Sequence, residues 1–112
     1  MAYVVQVDQS GKIEDTATDT VIAFANGRSY AILISASVKR ACIQALRHRG
    51  KTGRTLYRRL FTVGVFLLLE TYIDEIDAVI IDEEYTGQEA SIKQELLILL
   101  RAAQHIVESS QI

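Results

Sequence analysis

Two aspartates close short apolar runs. Asp8 ends Tyr3-Val4-Val5-Gln6-Val7-Asp8, and Asp82 follows Ala78-Val79-Ile80-Ile81. Two carboxylates brought together repel and raise one another's pKa unless a cation sits between them. Mg²⁺ (or Mn²⁺) suits such a pair, because it takes one or two carboxylates and keeps several waters. Two such ions about 4 Å apart activate water and stabilise the leaving oxygen of a phosphodiester. Asp8 and Asp82 are therefore candidate metal ligands and catalytic residues. The competing reading of each is structural: an Asp after a strand commonly closes a turn, and Asp8-Gln9-Ser10-Gly11 suits an Asx-turn. Glu89 is a candidate third catalytic carboxylate, yet Thr86-x-x-Glu89 is also a capping-box pattern that needs no metal. Glu83 and Glu84 stand open between site and solvated loop, Glu84 having the same strand parity as Asp82.

A second group of residues could hold phosphates. Residues 20–69 contain no acid but nine of the twelve Lys and Arg, whereas residues 70–112 hold ten acids beside only Lys93 and Arg101. Within the basic half, Lys39, Arg40, Arg47, Arg49, Lys51 and Arg54 are the candidate nucleic-acid contacts, with Arg58 and Arg59 just beyond. Phosphate contacts by such side chains supply most non-specific affinity for nucleic acid. A solvated helix face, or pairing with the acidic half, explains the same cluster without a ligand. Gly50-Lys51-Thr52-Gly53 is no nucleotide loop, since the first Gly is missing at the required spacing and a helix precedes it. His48 and His105 lack partners at a metal-binding spacing. Cys42 is on an apolar helix stripe, a core position rather than a nucleophile.

These residues need a scaffold, and the patterning predicts one. Residues 3–8 form a first strand ending at Asp8. Asn26-Gly27 between the runs 20–25 and 30–34 predicts a hairpin, because both residues tolerate positive φ. From Ser37, a fair N-cap, the period lengthens toward 3.6. Val38, Ala41, Cys42, Ala45 and Leu46 form the stripe, Ile43 falls off it, and Gly50 fits C′. A second helix is predicted over 54–72, with Leu56, Leu60, Val63 and Leu67 along one face. Residues 78–81 show no alternation, the pattern of a strand covered on both faces. Thr86 to Glu89 opens a third helix with Ile92, Leu96, Leu99, Leu100, Ala103 and Ile106 on its stripe. Residues 109–112 form a fraying tail. The fold class is α/β: a mixed sheet with three antiparallel strands, a helical crossover to a parallel fourth strand, and a C-terminal helix. If that strand lies beside the first, Asp8 and Asp82 finish at one sheet edge, where α/β proteins gather ligands.

The element order, with Asp8-Gln9-Ser10 after strand one and Asp82-Glu83-Glu84-Tyr85 after strand four, resembles the ribonuclease H-like superfamily over about residues 3–105. The resemblance implies a Mg²⁺-dependent nuclease with Asp8 and Asp82 sharing the metal and nucleic acid as substrate. The superfamily's acid near the start of the crossover helix has no counterpart, since residues 37–57 contain none. Glu70 lies about 25 Å along the second helix from its start, by helix rise. A non-catalytic nucleic-acid-binding protein, or a homodimeric interaction protein, would share the fold. Phe61–Leu69 and Leu96–Leu100 supply more apolar surface than a four-stranded sheet covers, which argues for a homodimer with helices across the axis.

Composition bounds the rest. The chain has 112 residues, 49% hydrophobic and 23% charged, the profile of one globular domain over 1–112 and not of a disordered one. Cys42 is the only cysteine, which excludes an internal disulfide and a cysteine zinc cage and fits a reducing, cytoplasmic setting. Residues 1–6 do not resemble a signal peptide. The most apolar segment, 60–69, is about half the length of a membrane span.

Overall fold

A computed structural model describes residues 4–26, 28–81, 87–103 and 112. The chain folds as β1 (Val4–Ser10), β2 (Thr20–Asn26), β3 (Arg28–Ile34), α1 (Ala36–His48), α2 (Gly53–Leu69), a 3₁₀ turn at Ile73–Glu75, β4 (Ala78–Ile81) and α3 (Glu89–Ala102). The strands form one mixed sheet in the order β3-β2-β1-β4. β2 and β3 pair antiparallel from Thr20↔Ile34 to Asn26↔Arg28, the hairpin expected at Asn26; Gly27 lies outside the described residues. β1 pairs antiparallel with β2 and parallel with β4, the latter from Val4↔Ala78 to Val7↔Ile81. Strand four therefore does lie beside strand one.

Register decides which side chains meet the core. Val5, Val7, Ile22, Phe24 and Val79 share one face and are buried beneath the helices. The other face carries Gln6, Asp8, Ala31, Leu33 and Ile80, all exposed. β4 is covered on one face only: Val79 is buried but Ile80 is 55% exposed. β1 continues to Ser10, so Asp8 lies within the strand, opposite Ala23, and not at its end.

Helix α1 starts two residues earlier than Ser37 suggests. Ser35 is the N-cap, its Oγ accepting from Val38 N at 3.3 Å, while Asp19 Oδ1 accepts from Ala36 N at 2.8 Å. Two otherwise unpaired donors of the first turn are thus satisfied. At the far end Gly50 takes φ 84°, with Gly50 N donating to Arg47 O and Lys51 N to Leu46 O. This is a Schellman closure with Gly at C′, as the sequence implied. The inward stripe differs from the expected one. Lys39 and Ile43 are buried and Leu46 packs against the core, while Val38 is 52% exposed and Ala41 and Ala45 face solvent. α2 buries Leu56, Leu60, Phe61, Val65, Leu68 and Leu69, but Leu67 points outward. It ends at Leu69; Tyr72 follows and joins Phe24 and Tyr30 in a tilted aromatic cluster. On α3, Leu97 rather than Ala103 completes the buried stripe with Ile92, Leu96 and Leu100. Ile106 and residues 109–111 lie outside the described residues, and Ile112 packs against the core. No helix among the described residues is long and apolar enough to cross a membrane.

α2 comes close to the sheet at Gly64. A Cβ there would sit 2.6 Å from Ile22 Cδ1 and 3.4 Å from Ile34 Cδ1. Gly64→Ala gains about 1 kcal/mol of helix propensity, which offsets a small displacement of Ile22. Gly64→Leu has no such room and is expected to lose about 2–3 kcal/mol to overpacking. Urea unfolding of the two variants checks the contrast; a leucine variant as stable as the wild type would mean that α2 does not sit this close.

Candidate functional site

Asp8 stands on the uncovered sheet face. Its Oδ1 accepts from Gln9 N at 2.8 Å, and the side chain is exposed. The following turn does not depend on it. Gly11 takes φ 79° there, and Thr20 Oγ1 donates to Gly11 O at 2.8 Å, so the Asx-turn role offered by the sequence is filled by other groups. Around Asp8 the small residues Ala23, Ser29 and Ala31, with Gln6, Phe24 and Tyr30, line an open depression of about 550 Å³. The last β1/β4 pair is Val7↔Ile81. Asp8 follows the first of these and Asp82 the second in sequence; Asp82, Glu83, Glu84, Tyr85 and Thr86 lie outside the described residues.

Glu89 is the first residue of α3, and its Oε1 accepts from Gly87 N at 3.3 Å. It is not the third residue after a cap at Thr86; the N-cap position is Gln88. Its carboxylate nevertheless serves a backbone N–H at the helix start, where a negative charge is favoured. No group of three His, Cys, Asp or Glu side chains converges among the described residues. The donors on the Asp8 face, a carboxylate and the Gln6 amide oxygen, are hard oxygens of the kind Mg²⁺ prefers over softer metals.

The basic residues do not form one surface. Lys39 is fully buried. Its Nζ donates to Lys12 O at 3.1 Å, Asp15 O at 2.6 Å and Thr20 Oγ1 at 3.0 Å, which uses all three of its protons. It is unavailable to a phosphate, and its assignment as a nucleic-acid contact is corrected on that ground. Arg40 is exposed but gives one N–H to Thr16 O at 2.7 Å. Arg40 and Arg47 line a second depression with Glu14, Gln44 and Tyr57. Arg49 lies in a groove between α1 and α2, while Lys51 and Arg54 are exposed around the start of α2. Arg58 is committed to α3 and its N-cap: Nη2 meets Glu95 Oε1 at 2.7 Å and Nη1 donates to Gln88 Oε1 at 3.2 Å. Arg59 approaches Glu95 Oε2 at 3.8 Å. All of these arginines sit in the helical layer, which packs against the opposite sheet face from Asp8. The structure therefore separates the two candidate groups that the sequence left side by side. His48 is exposed, Cys42 is half-buried, and His105 lies outside the described residues.

Comparison of the chain with family models, curated proteins and solved structures finds no match.

The buried ammonium makes the sharpest demand on this region. Lys39→Met keeps the length of the side chain but leaves two carbonyls and a hydroxyl without their donor. A loss of about 3 kcal/mol is expected, since each unsatisfied buried acceptor costs about 1–3 kcal/mol and some regain water. Thr20→Val, which removes one acceptor and the bond to Gly11 O, should cost about 1–2 kcal/mol. Denaturant midpoints measure both, and a methionine variant within about 0.5 kcal/mol of wild type would show that the network is not holding the loop.

Proposed function

We propose that the chain is a metal-dependent nuclease of the ribonuclease H-like type, acting on a nucleic-acid phosphodiester. The observation that supports this reading is the parallel β1/β4 pairing with Val7↔Ile81 as the final pair among the described residues, because Asp8 and Asp82 follow Val7 and Ile81 in sequence. Asp8 also lies on an open face among small residues, where no turn or cap requires it. Asp8 and Asp82 would hold Mg²⁺ between them, relieving the repulsion of two adjacent carboxylates. Bound there, Mg²⁺ supplies an activated water and neutralises charge on the phosphodiester oxygens. The bond from Gln9 N fixes one oxygen of Asp8 and leaves the other directed away from the backbone donor.

A second reading, a nucleic-acid-binding protein without catalysis, is favoured by a different observation. Glu89 is tied to Gly87 N, and the described residues offer no third carboxylate to orient a water. Calorimetry with Mn²⁺ separates the two readings. Under the nuclease reading the wild type binds Mn²⁺, and Asp8→Asn and Asp82→Asn each abolish binding. Each substitution should also lower cleavage of labelled oligonucleotides at least about a hundredfold, more than the loss of an outer-shell partner. A folded wild type that neither binds Mn²⁺ in the presence of an oligonucleotide nor cleaves it leaves the non-catalytic reading standing.

A further inference from the structure

Two apolar strips lie side by side on the outer surface of the helical layer. On α1 part of the stripe expected in the core faces outward instead: Val38, Ala41 and Ala45 are exposed, while Cys42 and Leu46 are half-buried against the core. On α2 Leu67 is exposed and Arg59, Val63, Phe66 and Glu70 are half-buried, Phe66 also packing against the core; these residues recur at helical spacing along the outer side. The strips meet in a groove lined by Cys42, Ala45, Leu46, Leu60 and Val63. Leu67 is 53% exposed one turn beyond Val63.

We propose that this face is a homodimer interface, with α2 packed antiparallel against α2 of a second copy across a two-fold axis at the level of residues 64 and 65. The charge pattern selects that occupant. Arg59 stands at one end of the strip and Glu70 at the other, about 16 Å apart by helix rise. Rotating the strip by half a turn about its middle places each Arg59 against the partner copy's Glu70 and each Val63 against the partner copy's Phe66. A surface that complements itself under a two-fold rotation is what an isologous interface requires. An acidic peptide would meet Glu70, and a basic one would meet Arg59 and Arg49. Glu70 makes no ion pair among the described residues, and Arg59 has only the long contact to Glu95, so both charges are open to a new partner. Burial of the apolar middle drives association, while the charge pairs set its direction and register. The inference is independent of the metal site, because Asp8 lies on the opposite side of the sheet.

Sedimentation equilibrium of the full chain tests it. The wild type should self-associate. Glu70→Arg alone and Arg59→Glu alone should each weaken self-association about tenfold or more, since each creates two like-charge contacts. Mixing the two variants in equal amounts should restore it, because every contact in the mixed pair then joins an acid to a base. Melting temperatures check that each variant folds. If Arg59→Glu fails to fold beside Glu95, Leu67→Asp takes its place and must abolish association. A wild type that stays monomeric overturns the proposal, including one that captures an acidic apolar peptide. So does a dimer indifferent to these substitutions, or a mixture of the two charge variants that remains monomeric.

Discussion

A buried ammonium with no carboxylate beside it among the described residues must be solvated by the protein, and much of this fold is arranged around that demand. Lys39 finds its substitutes for water in two carbonyls of the β1–β2 loop and the hydroxyl of Thr20. Those carbonyls converge only if the loop folds back over the start of α1. It is held there by Ile13 in the core, by Asp19 on the first N–H of α1 and by Arg40 on Thr16 O. Leaving a buried charge unpaired costs several kcal/mol, so the bonds to Lys39 act together and not as independent contacts. The loop is thereby a structural element, although its composition is that of a solvated connection.

The same constraint sets the roll of α1 about its axis. With Lys39 directed inward, Ile43 and Leu46 follow it at helical spacing and meet the core. Val38, Ala41 and Ala45 are then turned toward solvent. The helix cannot bury all of its apolar surface, and the three hydrogen bonds to Lys39 turn Ile43 inward, with Cys42 and Leu46 half-buried beside it. The exposed stripe beside the outer face of α2 follows from that choice, as does the groove between the two helices.

How much of this was legible in the sequence varies by element. The hairpin at Asn26, the C′ glycine at residue 50 and the order of strands and helices follow from local chemistry that acts over a few residues. The neighbour of β1 is partly a matter of topology, and pairing with β4 was one arrangement among those allowed. The inward stripe of α1 was not legible, because a lysine at its centre reads as surface and the acceptors that bury it come from residues 12, 15 and 20. β4 misled for another reason: four apolar residues cannot distinguish a strand covered twice from an edge strand with one bare face. In the candidate site, Asp8 was legible as a carboxylate on β1. The commitment of Arg58 to Glu95, 37 residues away, was not, since no local pattern couples the two.

The two faces of the molecule ask for different things. Asp8 lies on a sheet face where Leu33 and Ile80 are also bare, and small residues leave the backbone accessible around the carboxylate. The exposed arginines lie across the sheet, in the helical layer. A flat polymer resting on the Asp8 face would reach them only by passing around an edge of the sheet. The edge at the ends of β1 and β3 is closed by the β1–β2 loop and the start of α1, where Lys12 and Arg40 are exposed. Arg40 also lines the depression that holds Arg47. Charge on the helical side and the carboxylate on the open side thus lie on opposite sides of the sheet, and the loop that holds Lys39 stands at the edge between them.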